Sequence, residues 1–323
     1  MRTIDWVDDA VVIIDQTSLP AAESWLRLST VDDVVAAITR LAVRGAPALG
    51  VAGALGVALA ARTLPEAEWP GAVKRIATAR PTAVNLAYGV RLAEAELNNG
   101  PAAVLTAALA LRDAEIAASE GMARLGADLL VELCGLAPRL LTHCNTGGLA
   151  SVTLGTALAT VAELHRRGVD VSIIASETRP LLQGARLTTW ELDRIGVPHR
   201  VAVDGAGPFL MARGEVDGVI VGADRICANF DVVNKIGTYA HALGAQAAGI
   251  PFVVVAPEST VDSETATGND VEIEDRGAAE VLSFRGAQSA PDGTDAVNPA
   301  FDVTPHHLVT AIVTEKRIVR PAG

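Results

Sequence analysis

Five apolar runs in the second half of the chain each end in side chains capable of chemistry. "RLLTH" (139–143) leads into Cys144 and Asn145, "VSIIAS" (171–176) into Glu177-Thr178-Arg179, and "HRVAVD" (199–204) ends on Asp204. "DGVIVGA" (217–223) leads into Asp224 and Arg225, and "PFVVVA" (251–256) into Pro257-Glu258. In an open parallel sheet, ligands bind outside the carboxyl ends of the strands. A single polar ending marks only a strand leaving the core, whereas five in succession favour a site.

Cys144 has two readings. A free cysteine is commonly a small buried apolar group. Here it precedes Asn145-Thr146-Gly147-Gly148 and an expected helix start, whose unpaired N–H groups would favour an anion or a thiolate. A hydrolytic Cys–His pair is not expected, because His143 is the sequence neighbour of Cys144 and would face the other side of a continuing strand. The other histidines show no spacing that completes a metal site or a triad. Asp224 also stays open: it either pairs with Arg225 or caps a helix, or it is a carboxyl desolvated by the preceding apolar strand and able to donate a proton.

Arg44-Gly45-Ala46-Pro47 opens a helix, either as an ordinary Gly-Pro start or as a cradle of guanidinium and backbone N–H groups for a phosphate. Arg80, in "ARPTAVN", reads as a turn before Pro81 or as a second phosphate ligand. Asn234 and Lys235 are expected to begin a helix after the Asp224 loop, and Gln183 to start another, as an exposed surface residue if it has no role. Glu177 and Arg179 could pair with each other.

The elements that must carry these residues alternate about every thirty residues, as in βαβ units. Helices are expected at 149–167, 183–195 and 233–248, with a short turn near Phe209 to Ala212 and a final helix from Pro305 to Glu315. The fold expected is α/β: a doubly wound, mostly parallel Rossmann-like sheet, preceded by a smaller, mainly helical N-terminal domain with a short β start. That first domain (1–120) reads as a β start in "TIDWVDDAVVIID", then helix from Thr30 to Glu120 with breaks at Pro47, Pro65, Pro81 and Gly100. The second (121–323) carries the chemistry, and residues 262–298 form a loop-rich excursion.

The chain of 323 residues carries 38 acidic and 26 basic side chains, a net charge of -12. Nucleic acid and anionic membrane surfaces are therefore not expected partners, and an anionic ligand must be held by a few chosen arginines. Mean hydropathy is +0.33, but the one apolar stretch that competes for a membrane span, between Arg44 and Arg62, contains Pro47 and is rich in Ala and Gly. A buried helix is the expectation there. Cys134, Cys144 and Cys227 lack a secretory pattern ahead of them and read as reduced, cytoplasmic thiols.

In order along the chain, "LAVRGAPALG", "ARPTAVNLAYG", "LTHCNTGGLA", "SETRPLLQGARLTTWEL", "VDGVIVGADRICANFDVVNKIGTYAHALGAQAAGIPFVVVAPESTVD", "VEIEDR" and "NPAFDVTPHHLVTAIVTEK" resemble the methylthioribose-1-phosphate isomerase family over essentially the whole length. That family shares its fold with the α, β and δ regulatory subunits of the eukaryotic translation-initiation guanine-nucleotide exchange factor and with archaeal ribose-1,5-bisphosphate isomerase. The resemblance implies an aldose–ketose isomerase that converts 5-methylthioribose 1-phosphate to 5-methylthioribulose 1-phosphate in methionine salvage. It implies Asp224 as proton donor and Cys144 as its partner at the reacting carbons. It also implies Arg44, Gly45, Ala46, Arg80, Gln183, Asn234 and Lys235 as substrate ligands. No metal and no cofactor is implied; the partner is a small-molecule sugar phosphate and the assembly a homodimer. Alternatives are an isomerase of 5-deoxyribose 1-phosphate or ribose 1,5-bisphosphate, or a non-catalytic binding protein like the regulatory subunits. One segment departs from the family: Asp204-Gly205-Ala206-Gly207-Pro208 has glycine where a side chain is usual.

Overall fold

Thr30 accepts the backbone N–H of Asp33 while the Asp33 carboxylate accepts the N–H of Thr30. This reciprocal cap fixes the start of the first helix directly after the β start. In the computed structural model, which describes residues 2–321 apart from Thr82 and Arg285, the chain divides into two units. The first comprises Met1–Met122 with Thr146–Ala159, the second Ala123–Asn145 with Thr160–Gly323.

In the first unit, strands β1 (Ile4–Val7), β2 (Ala10–Ile14) and β3 (Trp25–Leu28) form an antiparallel sheet in sequence order. Helices α1 (Val31–Thr39), α2 (Ala46–Thr63), α3 (Trp69–Ala77) and α4 (Val84–Glu94) follow, and α5 (Pro101–Cys134) begins here and ends in the second unit. By length and composition α2 could cross a membrane, yet 83% of it is buried inside the protein. Its Ala, Gly and Val side chains are short, so a neighbouring backbone can come close: a methyl group on Gly89 of α4 would overlap the carbonyl oxygen of Gly50 on α2. Val51, Leu55, Val57 and Leu59 are fully shielded in the same core, each such burial stabilising by about 1.5–3 kcal/mol.

In the second unit the five apolar runs become strands β4 (Arg139–Thr142), β5 (Ser172–Ser176), β6 (His199–Ala202), β7 (Gly218–Val221) and β10 (Phe252–Val255). Between and around them lie α6 (Ala157–Arg166), α7 (Thr189–Ile195), α8 (Ala206–Ala212) and α9 (Thr238–Ala248). With β15 (Ala311–Val313) and β16 (Ile318–Val319), these strands make a seven-stranded sheet in the order β16-β15-β10-β7-β4-β5-β6. Only the edge strand β16 runs antiparallel. The chain thus starts in the middle at β4, builds outward through β5 and β6, then returns to the other side of β4 with β7. The strand order reverses between β4 and β7, and open sheets of this type bind ligands at the carboxyl ends of the strands at such a reversal.

Several local expectations are corrected. The stretch Pro305 to Glu315 is not a helix but a 3-10 turn at His306–Leu308 followed by β15, because Ala311–Val313, in a stretch rich in β-branched residues, pairs with β10. Residues 233–248 are not one helix: β9 (Val232–Lys235) precedes α9. It joins β8 (Arg225–Cys227), β11 (Val261–Asp262) and β14 (Phe301–Thr304) in a second sheet, in the order β11-β8-β9-β14, that the local pattern did not announce. The stretch 149–156 is 3-10 turn and irregular chain, with Gly155 at a φ of 87°, so the regular helix begins only at Ala157. The start of 183–195 is a π-helical turn, Gly184–Thr188, and the expected turn near Phe209 is the helix α8. Among the described residues, 262–298 hold short pieces: a 3-10 turn at Gly268–Asp270, α10 (Ala279–Leu282) and the paired strands β12 (Ser283–Phe284) and β13 (Ala287–Gln288).

Candidate active site

Leu141 of β4 pairs with Val219 of β7 in parallel register. Cys144 lies three residues beyond Leu141 and Asp224 five beyond Val219, so both follow the carboxyl ends of neighbouring parallel strands. These are the two strands between which the sheet order reverses.

Cys144 is held in a left-handed conformation, with φ 61°. A non-glycine residue in that region costs on the order of 1 kcal/mol or more and persists only where its surroundings enforce it. They do so from both sides. The Cys144 N–H donates to Thr178 Oγ1 at 2.8 Å, and its carbonyl accepts from Thr188 Oγ1 at 2.6 Å. Asn145 Nδ2 donates to the same Thr188 oxygen at 3.3 Å.

Thr178 is itself strained, with φ 67°, as is Leu182, with φ 56°. Asp204 is the clamp: its carboxylate accepts from Ser176 Oγ at 2.6 Å, from the Thr178 N–H at 2.7 Å and from the Arg179 N–H at 2.6 Å. Burial alone would raise the Asp204 pKa, but these three hydrogen bonds outweigh it and hold the carboxyl below its usual range. The Arg179 guanidinium donates to the carbonyls of Pro180 and Val281 at 3.0 Å each, so backbone acceptors hold it in place. A sequence reading finds Asp204 as a strand end but has no signal for its role as anchor of the loop beneath Cys144.

The segment after Cys144 is also corrected. No long helix starts at Gly147; the three-residue turn Gly148–Ala150 is all that follows there, so helix N–H groups from this stretch do not supply the expected anion field.

Gln183 is 5% exposed, not a surface residue, and its Oε1 has no hydrogen-bond partner. It sits just before the π-helical turn, where Gly184 presses against the Ser176 carbonyl. π-turns of this kind recur at functional sites. A buried acceptor left without a donor is costly unless something else meets it.

Asn234 and Lys235 end the strand β9. Asn234 is 5% exposed and donates from Nδ2 to Thr238 Oγ1 at 3.0 Å. Lys235 Nζ donates to the Ala300 carbonyl at 2.7 Å and lies 4.8 Å from the centre of the Phe301 ring. Asp302, directly across the sheet from Asn234, accepts from Gly237 N at 2.7 Å and Tyr239 N at 3.2 Å. Burial pushes its pKa up to about 6 despite those bonds. The sequence reading missed it because only cross-strand pairing brings it to this end of α9.

Asp224 is half-buried, and its N–H donates to the Val233 carbonyl at 2.9 Å. Its neighbour Arg225 is engaged elsewhere, with Asp262 at 2.9 Å and Thr265 Oγ1 at 3.0 Å.

In the first unit, Arg44 is 8% exposed and Gly45 precedes α2 with φ 97°. A side chain at Gly45 would collide with the Ala150 backbone, so only glycine lets the chain turn here. Ala46 is the first residue of α2, whose leading N–H groups lack intrahelical partners. Arg80 is half-buried in the turn before α4. Gly50 of α2 packs at Asn85 and Gly89, and Gly53 at Leu86 and Val90. The two helices therefore run in the same sense, and their arginine-bearing starts share one end of the pair.

Among the described residues no three His, Cys, Asp or Glu side chains gather as a metal set.

A profile of the Initiation factor 2 subunit family matches residues 42–321. A methylthioribose-1-phosphate isomerase of Anaeromyxobacter sp. (strain K) is 53% identical over 97% of this chain and 91% of its own. A probable bifunctional methylthioribose-1-phosphate isomerase/methylthioribulose-1-phosphate dehydratase of Nocardia farcinica is 50% identical over 99% of this chain, which spans 60% of that relative's length. A 5-deoxyribose 1-phosphate isomerase of Moorella thermoacetica is 47% identical, covering 98% of this chain and 94% of its own. The crystal structure of 5-methylthioribose 1-phosphate isomerase from Pyrococcus horikoshii superposes with a TM-score of 0.91 at 39% identity, over 99% of this chain and 92% of that one.

Proposed function

The chain belongs to the Initiation factor 2 subunit family, and within it we propose that this protein is an aldose–ketose isomerase, converting 5-methylthioribose 1-phosphate to 5-methylthioribulose 1-phosphate in methionine salvage. The observation that carries the reading is the departure of Cys144 and Asp224 from the two adjacent strands at which the sheet order reverses. Relatives about half identical and bearing that isomerase name support it. The dehydratase half of the Nocardia relative's name is not carried over.

An aldose 1-phosphate cannot open its ring as a free sugar does, because phosphate blocks the anomeric oxygen. An acid must protonate the ring oxygen as its bond to C1 breaks, and Asp224 is assigned that role. Hydrogen then moves from C2 to C1 while the C2 hydroxyl gives its proton to the Asp224 carboxylate left by the first step and becomes the carbonyl. In an enolate-like route Cys144, as thiolate, takes the C2 proton and its thiol returns a proton to C1; in a direct hydride route the hydrogen passes from C2 to C1 with its electron pair and Cys144 shields the carbons from water. Arg44, with the backbone at Gly45 and Ala46, and Arg80 are assigned to the phosphate, where fixed donors serve ground state and transition state alike. Gln183, Asn234 and Lys235 are assigned to the sugar hydroxyls, and the unmet Gln183 Oε1 fits a hydroxyl donor. The protein is proposed to act in the cytoplasm as a homodimer, with the sugar phosphate as its ligand; sedimentation of the purified chain reads the second point.

The decisive assay is ketose formation from 5-methylthioribose 1-phosphate by the purified chain. Turnover supports the reading, and no ketose above the enzyme-free control refutes it. The Moorella relative favours one second reading, 5-deoxyribose 1-phosphate as substrate. The two differ only in the 5-substituent, and a pocket that gains from burying one methylthio group prefers its owner by roughly 10- to 200-fold. A kcat/KM ratio in favour of the deoxy sugar would reverse the assignment.

A further inference from the structure

Next to Cys144 in the chain lies a pair of imidazoles that the proposed chemistry does not use. His143 and His241 are each 1% exposed, with ring centres 5.0 Å apart in an edge-on arrangement. His143 Nε2 stands 2.7 Å from the Ile236 carbonyl, which only accepts, so that nitrogen carries the proton. Nδ1 of His143 is then bare and accepts from His241 Nε2 at 3.3 Å. The last atom of the relay, His241 Nδ1, has no partner at all. Burial pushes both rings down, His143 to about 4 and His241 to about 3, so both are neutral through the physiological range.

Two glycines from separate elements clear the slot for the rings. A side chain at Gly237, where φ is 104°, would come within 3.0 Å of His143 Cε1, and one at Gly207 would overlap His241 Nδ1. Gly205 of the same segment has open space around it. The glycine of the Asp204-Gly205-Ala206-Gly207 departure that the packing requires is therefore Gly207, and what requires it is the His241 ring. An apolar pair would fill the same volume without stranding a nitrogen. What the imidazoles add is a directed bond from the residue before Cys144 to the residue after Lys235.

We propose that His143 and His241 are positioning residues, a neutral relay that fixes the Cys144 turn to the Ile236 turn and so holds the thiol in register with Asn234 and Lys235. This rests on the reading of Cys144 as a reacting group, so the test includes a readout independent of turnover. That readout is the iodoacetamide alkylation rate of Cys144 in the folded protein, followed by peptide mapping. Cys134 and Cys227, each raised to about 11 by burial, are expected to react slowly.

His143→Leu is expected to change the Cys144 alkylation rate by at least threefold and to lower kcat on the order of 100-fold, the scale of a misplacement of about 1 Å, with KM moved less than threefold. His143→Gln, which can still donate to the Ile236 carbonyl, is expected to recover at least tenfold of that loss. Gly207→Ala should reproduce the Leu phenotype by pushing on His241, and adding His241→Ala should cost nothing beyond His241→Ala alone, since the methyl then has room. Folding of each variant is checked by its melting curve. Alkylation rates within threefold of wild type in both His143→Leu and Gly207→Ala, or additive losses in the double variant, would overturn the relay. Loss of all turnover in the wild type would instead overturn the isomerase reading and leave the alkylation arm standing.

Discussion

Replacing Asp204 by Asn keeps the shape of the side chain and removes the charge that three donors share. The carboxylate holds Ser176 Oγ, Thr178 N and Arg179 N at 2.6–2.7 Å, and hydrogen bonds to a charged group contribute about 1.5–3 kcal/mol each. The amide oxygen still accepts, but its NH2 now faces backbone donors, so a loss of roughly 2–4 kcal/mol is expected rather than the sum of all three. At about 1.4 kcal/mol per tenfold, this predicts local opening of residues 177–179 to be favoured by roughly 30- to 1000-fold. Hydrogen exchange of the short segment 177–179 reads it directly, since Pro180 contributes no amide. Because the native Asp204 pKa is depressed, the wild-type advantage is complete above the ordinary aspartate range and fades as pH falls through the native value. The Cys144 N–H hangs on Thr178 Oγ1, so kcat should fall with the loop. Exchange within threefold of wild type, at any pH above 5, would refute the clamp.

Cys144→Ser and Asp224→Asn should each lose about 10²- to 10⁴-fold in kcat, the usual worth of a positioned acid or base, while the melting curve stays close to wild type; a near-normal rate in either removes that residue from the chemistry. Arg44→Ala should weaken inorganic phosphate or sugar-phosphate binding by roughly 10- to 100-fold, measured by calorimetry, and an unchanged affinity contradicts the cradle. His143 and His241 have native pKa values below the unfolded 6.5, so they withhold stability as pH falls from 6.5 towards 4. In His241→Asn the melting temperature should decline less over that window, and parallel curves would count against buried neutral rings. Asp302 has the opposite sign: its native value of about 6 lies above the ordinary one, so wild type loses stability as pH rises from about 4 to 6. The comparison should therefore shift in favour of Asp302→Asn across that interval and flatten above it; a shift the other way would mean the carboxylate is stabilised, not strained.

Alternation of apolar runs with turn signals is local, and it was enough to find β4, β5, β6, β7 and β10, and to read α2 as a buried helix from its Ala and Gly content. Adjacent residues also sufficed to raise Cys144, Asp224, Arg44 and Arg80 with alternatives open, while the family resemblance was needed to make Gln183, Asn234 and Lys235 candidates. The sequence could not say which strand lies beside which: order in a sheet is set by backbone pairing between residues far apart in the chain, and side-chain periodicity is the same whichever neighbour a strand acquires. So the reversal between β4 and β7, the second sheet that turns Asn234 and Lys235 into a strand end, and the helix at the end of the chain that proved to be β15 all waited for the tertiary structure. The same holds for the left-handed turn at Cys144, whose strain is sustained by Thr178, Thr188 and Asp204. The residues adjoining Cys144 in the chain do not include those partners, because the fold supplies them from three other strand ends and turns.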